Sequence, residues 1–362
     1  MVASSKTVNR KRWDKEGIRW KSLQQAVQDL GSLGNLDHVD LLPLQVKGLF
    51  HAHVRILSSG AILRIPRVSS LDLSPNENLL YQAVSFKRGS LSGHIPKLID
   101  TIFPRDGLPW GALVIEDIEG QTPILPENLI SIAKALAAIH RLPVPVVNSR
   151  SPILFHNNPI IATMAIIREQ AKFLREANIN REAESQLQEE ILLAEKNALS
   201  LSCLNMPITF VGTDTHPGNF LIDSDERAVF VDIEKCTYGS PAIDLAHATL
   251  YTSTMWDPEI SVVLSTDEVS QFYQCYFDNL PSDLARSIMP FCSPMQRFTW
   301  LRTMTWCAKW RVQSKSGKDW SPTCSDPLYV DLVNKRIDDY FSPATIEQVR
   351  VEFGKNFSFE TK

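Results

Sequence analysis

Three short apolar runs between residues 208 and 232 are the feature that most constrains how this chain can fold. The runs read ITFVG, NFLID and AVFVD, and each has the length and the β-branched and aromatic content of a short strand. Asp214 and His216 lie between the first two runs, Asn219 begins the second, and Asp232 ends the third. If the second and third runs form a hairpin, their neighbouring ends bring Asn219 and Asp232 close to Asp214.

The polar residues of this segment suit one kind of chemistry. Phosphoryl transfer from a nucleotide needs metal ions that bridge the phosphates and a carboxylate that accepts the proton of the attacking hydroxyl. Magnesium prefers oxygen ligands and usually takes only one or two protein carboxylates. The alternative interpretation is a set of solvated turn residues, because Asp and Asn side chains also bond to local backbone in turns.

The composition is that of an ordinary globular protein and argues against several other classes. The 362 residues are 44% hydrophobic and 22% charged, with a net charge of −4. Because there is no basic excess, we expect no nucleic-acid partner. No run approaches about eighteen apolar residues, so we expect no membrane span. The start of the chain lacks an apolar signal region and the six cysteines form no CxxC pair, which favours a cytoplasmic protein.

The pattern along the chain predicts two lobes of different composition. Residues 41–120 contain short β-like runs and one helix-like stretch, SPNENLLYQAVSF, which predicts a small antiparallel sheet that carries a helix. Residues 121–362 are mainly helix-like apart from the three runs. Residues 1–40 are predicted to form an N-terminal arm and a leading helix. Their basic cluster, Lys6–Lys21, indicates a solvated arm, with membrane or partner binding as the alternative.

The segment with the three runs resembles the catalytic core of the aminoglycoside phosphotransferase and choline kinase family. That family shows an HGDxHxxN loop, then IDFE or IDWE, then G.P..DLA, which read here GTDTHPGN, VDIE and GSPAIDLA. The resemblance extends from about residue 41 to about residue 310. It implies a two-lobed, protein-kinase-like α+β fold with a small antiparallel β-rich lobe and a larger helical lobe. One departure is Gly212, which replaces the first histidine of the loop.

The resemblance also implies roles for individual residues of the helical lobe. Asp214 corresponds to the catalytic base, and Asn219 and Asp232 correspond to the magnesium ligands. Glu234 is expected to be an accessory acidic residue at the site, and Asp244 a buried structural anchor. His216 and His140 are interpreted as structural: the former stabilises the loop, and the latter lies in an apolar helix stripe.

In the small lobe, AILRIPR resembles the family's third strand, whose cation pairs with the nucleotide phosphates. Arg64 is the candidate and Arg67 the reserve, because strand alternation points their side chains to opposite faces. A guanidinium group can also bind a phosphate through two parallel hydrogen bonds. Glu77 of NENLLY is expected to be the helix carboxylate that orients this arginine.

The end of the small lobe, ALVIEDIEG, resembles the linker between the two lobes. Its backbone is expected to bind adenine at Glu116, Asp117 and Ile118, and the hinge is expected near Asp117–Gln121. A loop that covers the phosphates is expected at VKGLFHAH, although Gly48 is the only glycine in that stretch.

These features together predict an ATP-dependent kinase that phosphorylates a hydroxyl group of a small molecule and uses Mg²⁺. The acceptor stays open among aminoglycoside-like antibiotics, choline-like alcohols, sugars and vitamin alcohols. Residues 157–202 and 250–320 are expected to line its pocket, and acidic stretches at Asp257–Glu259 and Thr266–Glu268 favour a cationic acceptor. Three tryptophans on one segment are interpreted as core residues, with an aromatic cage for such a cation as the alternative. They are Trp300, Trp306 and Trp310.

Two other functions are compatible with the same residues. The first is a catalytically silent nucleotide-binding scaffold, which the replacement at Gly212 and the sparse glycine loop would favour. The second is a protein kinase that acts on polypeptides. It ranks lower because Ile243 lies only eleven positions after Asp232, which leaves no room for a long activation loop.

Overall fold

The computed structural model describes six parts of the chain, namely residues 17–34, 39–44, 48, 50–57, 59–316 and 327–353. Most of the basic cluster Lys6–Lys21 lies outside these residues, as do Val46, Lys47 and Leu49 of the VKGLFHAH stretch. Within them, the chain forms a small lobe built on an antiparallel sheet and a larger helical lobe, as the sequence predicts.

The small lobe is built on five strands. They are β1 (Leu41–Pro43), β2 (His51–Ile56), β3 (Ala61–Pro66), β4 (Leu98–Ile102) and β5 (Ala112–Glu116). They form one antiparallel sheet in the order β1-β2-β3-β5-β4. Helix α1 (Trp20–Gln28) buries its apolar side in the same core as the central strands, and helix α2 (Pro75–Gly89) connects β3 to β4.

The larger lobe is mainly helical. Its helices are α3 (Leu129–His140), α4 (Pro159–Ala171), α5 (Arg181–Leu201), α6 (Pro241–Thr249), α7 (Tyr251–Thr254), α8 (Thr266–Asp278), α9 (Ser282–Ser316), α10 (Pro327–Tyr340) and α11 (Pro343–Glu352). The long helix α9 packs against both α4 and α6, and it buries Trp300 and Trp310 in the core. No helix of the described ranges is long and apolar enough to cross a membrane.

Short strands set into the helical lobe carry the polar segment that the sequence singles out. They are β6 (Gly120–Gln121), β7 (Thr209–Val211), β8 (Phe220–Asp223), β9 (Ala228–Phe230) and β10 (Thr237–Gly239). Strands β8 and β9 form the predicted hairpin, and β6 extends it to three strands. Strand β7 pairs with β10. The two sheets therefore hold the ends of the loop that contains Asp214.

Gly111 fixes the turn into β5, the strand that leads to the linker between the lobes. It has a φ of +65°, and a Cβ atom added there would lie 2.4 Å from the carbonyl oxygen of Ile102. Gly93 also has a positive φ, +75°, but a Cβ atom added there would meet nothing within 4 Å. Both glycines thus have a positive φ, but only at Gly111 would an added Cβ atom clash with neighbouring backbone.

We expect Gly111→Ala to lower the free energy of unfolding by about 2 kcal/mol more than Gly93→Ala. Both substitutions force an L-residue into the left-handed region, which costs roughly 1–2 kcal/mol. Only the change at Gly111 also pushes a methyl group into backbone that cannot move aside. Urea denaturation of both variants checks this, and equal losses would rule out the steric explanation.

Candidate active site

A cleft with a volume of about 1000 Å³ lies between the two lobes. Its lining contains all but one of the sequence-predicted site residues, which are Arg64, Glu116, Asp117, Ile118, Asp214, Asn219 and Asp232. The exception is Glu77. The cleft therefore brings the predicted base, the predicted metal ligands and the predicted phosphate-binding cation to one place.

The loop between β7 and β8 is braced by the fully buried carboxylate of Asp244. This carboxylate accepts hydrogen bonds from the backbone N–H groups of Gly212 and Thr213, each at 2.7 Å. His140 Nε2 lies 3.0 Å from it, and the other ring nitrogen lies 2.8 Å from the Tyr276 hydroxyl. These contacts agree with the expected anchoring role of Asp244 and the expected structural role of His140.

Gly212 is explained by the packing around the loop. A Cβ atom added there would lie 2.7 Å from the side chain of Thr215 and 2.8 Å from the ring of Phe230. The space that a side chain would need at this position is filled by these two neighbours. The lack of a side chain at Gly212 therefore leaves no gap in the loop.

Thr213 has a φ of +60°, which is unfavourable for a β-branched residue. Three hydrogen bonds hold it in this conformation. Its N–H donates to Asp244, its hydroxyl donates to the carbonyl oxygen of Lys235 at 2.9 Å, and its own carbonyl accepts from the Arg302 guanidinium at 2.9 Å. These three hydrogen bonds thus fix the conformation of the residue directly before Asp214.

Asp214 projects into the cleft between two basic side chains. Its Oδ2 atom lies 2.6 Å from Lys235 Nζ, and its Oδ1 atom lies 3.7 Å from His247 Nε2. Burial raises the pKa of Asp214, but the charge of Lys235, followed by His247 and His216, outweighs it and holds the pKa below its ordinary value. Asp214 is therefore a carboxylate at neutral pH and can accept a hydrogen bond from a hydroxyl group.

Asn219 and Asp232 lie at neighbouring ends of the hairpin β8–β9. The Asn219 side-chain N–H donates to the backbone carbonyl of Asp214 at 2.8 Å, which directs the amide oxygen to the other side. The Asp232 carboxylate pairs with Arg64 through one oxygen, and its side chain is 28% exposed to the cleft. One amide oxygen and one carboxylate form the hard oxygen set that suits Mg²⁺. The residues present therefore fit this ion.

Arg64 on β3 connects the two lobes. Its guanidinium pairs with Asp232 and also lies 3.1 Å from His51 Nδ1 and 3.3 Å from the amide oxygen of Gln82. His51, Asp232 and Glu234 also present ligand atoms within 4.8 Å of one another, a spacing that a metal ion could bridge. However, Arg64 contacts two of these three residues, so its cation already takes part in this cluster.

The expected pairing of Glu77 with Arg64 is wrong. Glu77 is exposed at the start of α2, where its carboxylate accepts hydrogen bonds from the backbone N–H and the hydroxyl of Ser74. The residue of α2 that faces Arg64 is the buried Gln82. A polar residue in the apolar stripe of a helix, beside Leu79 and Phe86, was the sequence signal for this position.

The reserve candidate Arg67 lies just beyond the end of β3. Its backbone N–H donates to the carbonyl oxygen of Phe50 at 2.8 Å, and its side chain is buried away from the cleft lining. Arg64 therefore lines the cleft and Arg67 does not, although the charges of both act on His51 and His53.

The linker between the lobes also reaches the cleft. The N–H of Glu116 donates to the carbonyl oxygen of Lys97 and that of Asp117 donates to Gly60, while the Asp117 carboxylate pairs with Arg55. These contacts tie both residues to the sheet. In the part of the chain that the structure describes, the N–H of Ile118 makes no such bond, and it is the linker donor best placed to meet a ligand.

The amino-acid sequence matches the phosphotransferase enzyme family over residues 50–267, which is more than half of the chain. The chain belongs to this family. A comparison with curated proteins finds no significant match.

Solved structures with a similar fold include small-molecule kinases. A choline/ethanolamine kinase family protein from Mesorhizobium loti aligns with a TM-score of 0.58 and 16% identity, covering 91% of this chain and 99% of its own. Plasmodium vivax ethanolamine kinase gives 0.59 and 13%, covering 87% and 86%. Spectinomycin phosphotransferase in complex with ADP and spectinomycin gives 0.60 and 12%, covering 93% and 98%. At such identities the likeness establishes the shared protein-kinase-like fold and no more.

In this phosphotransferase family member, several helices of the larger lobe also line the cleft. Helices α4 and α9 contribute from the two expected ranges, residues 157–202 and 250–320. Helix α10 also contributes, which the sequence interpretation missed. Its lining residues recur at helical spacing, and this stripe was the available signal: Leu328, Tyr329, Leu332, Val333 and Arg336.

The charges in this space have both signs. Asp257 and Glu259 line it, but so do Arg302, Lys309 and Arg336, so the lining does not favour a cationic acceptor. The acidic stretch Thr266–Glu268 lies elsewhere and begins α8, where the Glu268 carboxylate accepts from the backbone of Ser265.

The aromatic residues divide between core and cleft. Trp300 and Trp310 are buried, as expected, whereas Trp306 is half-buried and lines the cleft. The ring of Trp306 lies edge-on to Trp256, with the ring centroids 5.9 Å apart. An acceptor in this space would therefore meet two indole rings as well as charged groups.

His247 is a second residue of the site that the sequence interpretation missed. It lies on α6, next to Asp214, and its ring centroid is 6.2 Å from that of His216. Burial lowers the pKa of His247 to about 3, although the nearby Asp214 acts in the opposite direction. The imidazole is thus neutral in the folded protein at any pH near neutrality.

We expect the free energy of unfolding to fall as the pH is lowered from about 7 to about 4, and His247→Asn to reduce this fall. Unfolding exposes an imidazole with a pKa near 6.5, so between about pH 3 and 6.5 the unfolded chain binds more protons than the folded protein. The contribution of His247 to stability is therefore complete above about pH 6.5 and is lost towards lower pH.

Urea denaturation at pH 7.5 and pH 5.0 measures the effect as a difference between the two pH values. Any loss of packing in the variant lowers stability at both values and cancels in that difference. A pH dependence as steep in His247→Asn as in the wild type would contradict the burial of a neutral imidazole.

Proposed function

We propose that this protein transfers the γ-phosphoryl group of ATP to a hydroxyl group of a small molecule in a magnesium-dependent reaction. One observation carries the proposal: Arg64 from the small lobe meets Asp214, Asn219 and Asp232 from the helical lobe in one cleft. A cation for the phosphates, oxygen ligands for a metal and a carboxylate for the attacking hydroxyl are what this chemistry requires. The kinases and phosphotransferases among the similar structures support it.

Each residue has a definite task in this proposal. Asp214 accepts a hydrogen bond from the acceptor hydroxyl, orients its oxygen towards the γ-phosphorus and takes its proton as the bond forms. Magnesium, when bound by Asn219 and Asp232, supplies positive charge to the phosphates. Arg64 directs its guanidinium to the phosphate oxygens, and the Ile118 N–H donates to adenine. The neighbouring loop is held still by Asp244, which keeps the base in place.

The acceptor is proposed to bind in the space lined by α4, α9 and α10. The mixed charges and the two indole rings suit a polar molecule with an apolar face, and no particular acceptor is favoured over another. Because the proposed reaction consumes ATP and requires magnesium, it agrees with the cytoplasmic location that the sequence favours.

We expect Asp214→Asn to lower turnover by about 10²- to 10⁴-fold while ATP binding stays close to wild type. The substitution is nearly isosteric and removes only the proton acceptor. Asp232→Asn should instead weaken the binding of ATP with magnesium as well as turnover, because a ligand charge is lost. ADP release with magnesium and an array of small hydroxylated acceptors measures turnover, and calorimetry measures ATP binding with and without a chelator.

The contrast between the two variants is the informative result, because misfolding lowers both readouts together. If wild-type protein binds ATP but releases no ADP with any acceptor, the silent nucleotide-binding scaffold becomes the better description. If Asp214→Asn keeps wild-type turnover on an identified acceptor, the role of the base is wrongly assigned.

We expect Arg64→Ala to lower kcat/KM for ATP by about ten- to a hundredfold, which corresponds to the loss of a charge-assisted hydrogen bond. Arg67→Ala serves as the matched control, since it removes the same buried side chain type three residues away and outside the cleft lining. Thermal denaturation of both variants shows how much each contributes to stability. If Arg67→Ala lowers kcat/KM more than Arg64→Ala does, then Arg67, and not Arg64, is the residue that binds the phosphates.

A further inference from the structure

Lys235 is a charged residue of the cleft to which the family motif gives no task. It directly follows the VDIE motif, and its Nζ atom lies 2.6 Å from Asp214 Oδ2 and 3.8 Å from Glu234 Oε1. The side chain is 23% exposed and lines the cleft. The Phe50 ring of the small lobe lies over the ammonium group, with its centroid 5.4 Å away. Lys235 is therefore in the site itself and not on its rim.

Both ends of Lys235 are held by the loop that carries the predicted base. The Thr213 hydroxyl donates to its backbone carbonyl, and the next residue, Asp214, pairs with its side chain. This arrangement fixes the ammonium group relative to Asp214 before any substrate binds. A charge that is positioned in advance needs little reorganisation during a reaction.

The ammonium group stays charged. Burial lowers the pKa of Lys235, but Asp214 and then Glu234 raise it more, and the result lies above the ordinary value of a lysine. Lys235 is thus a permanent cation at physiological pH. It contacts Asp214, the carboxylate that is to receive the acceptor hydroxyl, and it also feels the charge of Asp232, which is to hold the metal near the phosphates.

We propose that Lys235 is a catalytic residue that binds a non-bridging oxygen of the transferring γ-phosphoryl group. The inference rests on the proposed function, because it needs ATP on one side of Asp214 and a hydroxyl on the other. In the transition state, negative charge spreads over the non-bridging oxygens of this group, and a preorganised cation stabilises that charge. The phosphoryl group has to pass beside Asp214, where the lysine already lies.

The reaction is balanced without a proton from Lys235. The acceptor oxygen forms a bond to the γ-phosphorus, and its proton passes to the Asp214 carboxylate. The bond between the γ-phosphorus and the β,γ-bridging oxygen breaks, and its electron pair stays on the β-phosphate of ADP. Lys235 keeps its three protons and moves its hydrogen bonds from Asp214 towards the phosphoryl oxygens.

Lys235→Met tests this role because it keeps the length of the side chain and removes the charge. We expect kcat for ADP release to fall by about 10²- to 10³-fold, with KM for ATP changed by no more than a few fold. Lys235→Arg should recover part of the rate, since it restores a cation. The matched control is Lys172→Met, which removes an exposed lysine that pairs with Glu169 at the end of α4. That control should keep the wild-type rate.

A second readout does not depend on the acceptor. The ³¹P resonance of the γ-phosphate of bound MgATP reports the charge around that group. We expect it to differ between wild type and Lys235→Met and to be unchanged in Lys172→Met. If Lys235→Met binds MgATP, gives the wild-type resonance and keeps the wild-type rate, the inference is wrong. If the wild-type protein binds no MgATP, the proposed function itself fails, and the inference falls with it.

A double variant separates a direct contact with the phosphoryl group from an indirect effect through Asp214. If Lys235 contacts the phosphoryl group, Asp214→Asn combined with Lys235→Met should be slower than Asp214→Asn alone. If the lysine served only to hold the Asp214 carboxylate, the double variant would match the single one, and the assignment as a catalytic residue would be overturned. Thermal denaturation of each variant confirms that the proteins compared are folded.

Discussion

The organisation of the site depends on the buried carboxylate of Asp244. It accepts the N–H groups of Gly212 and Thr213 and faces His140, so a charge with no access to solvent is compensated by three donors. A buried carboxylate is tolerated only when it is bonded in this way, and the same bonds impose a fixed geometry on the loop. They keep Thr213 in a backbone conformation that it would not adopt alone. The position of the next residue, Asp214, follows from that conformation.

The two lobes meet through a second compensated pair, Arg64 and Asp232. Each partner is a group that a nucleotide complex would use, the guanidinium for phosphate oxygens and the carboxylate for magnesium. ATP with magnesium would therefore give each group a new partner with the charge of its present one. The guanidinium would contact a negative phosphate in place of Asp232, and the carboxylate would contact the positive metal in place of Arg64. In the proposed reaction, binding would then exchange ion pairs instead of stripping water from two isolated charges, and that would limit the desolvation cost. Gln82 and His51 keep the guanidinium oriented during such an exchange.

The sequence was sufficient to predict positions that depend on residues close together in the chain. Asn219 and Asp232 meet because one hairpin joins them, and the start of α2 follows from Ser74 and Pro75. It was insufficient where position depends on how separate elements pack. Glu77 and Gln82 are on the same helix, and the face that this helix turns towards β3 decides which one reaches Arg64. Lys235, His247 and helix α10 likewise reach the cleft through tertiary contacts that no local motif encodes.

The charge balance of the cleft explains how so many ionisable groups fit in one place. Asp214 is paired with Lys235 and Asp232 with Arg64, which leaves Glu234 as the further carboxylate beside them. Burial, followed by the charge of Asp232, raises the pKa of Glu234 above its ordinary value. Two of these three carboxylates are thus paired with a cation. Arg64 and Lys235 both line the cleft as positive groups, which would give the proposed polyphosphate two cations to contact although the protein is acidic overall.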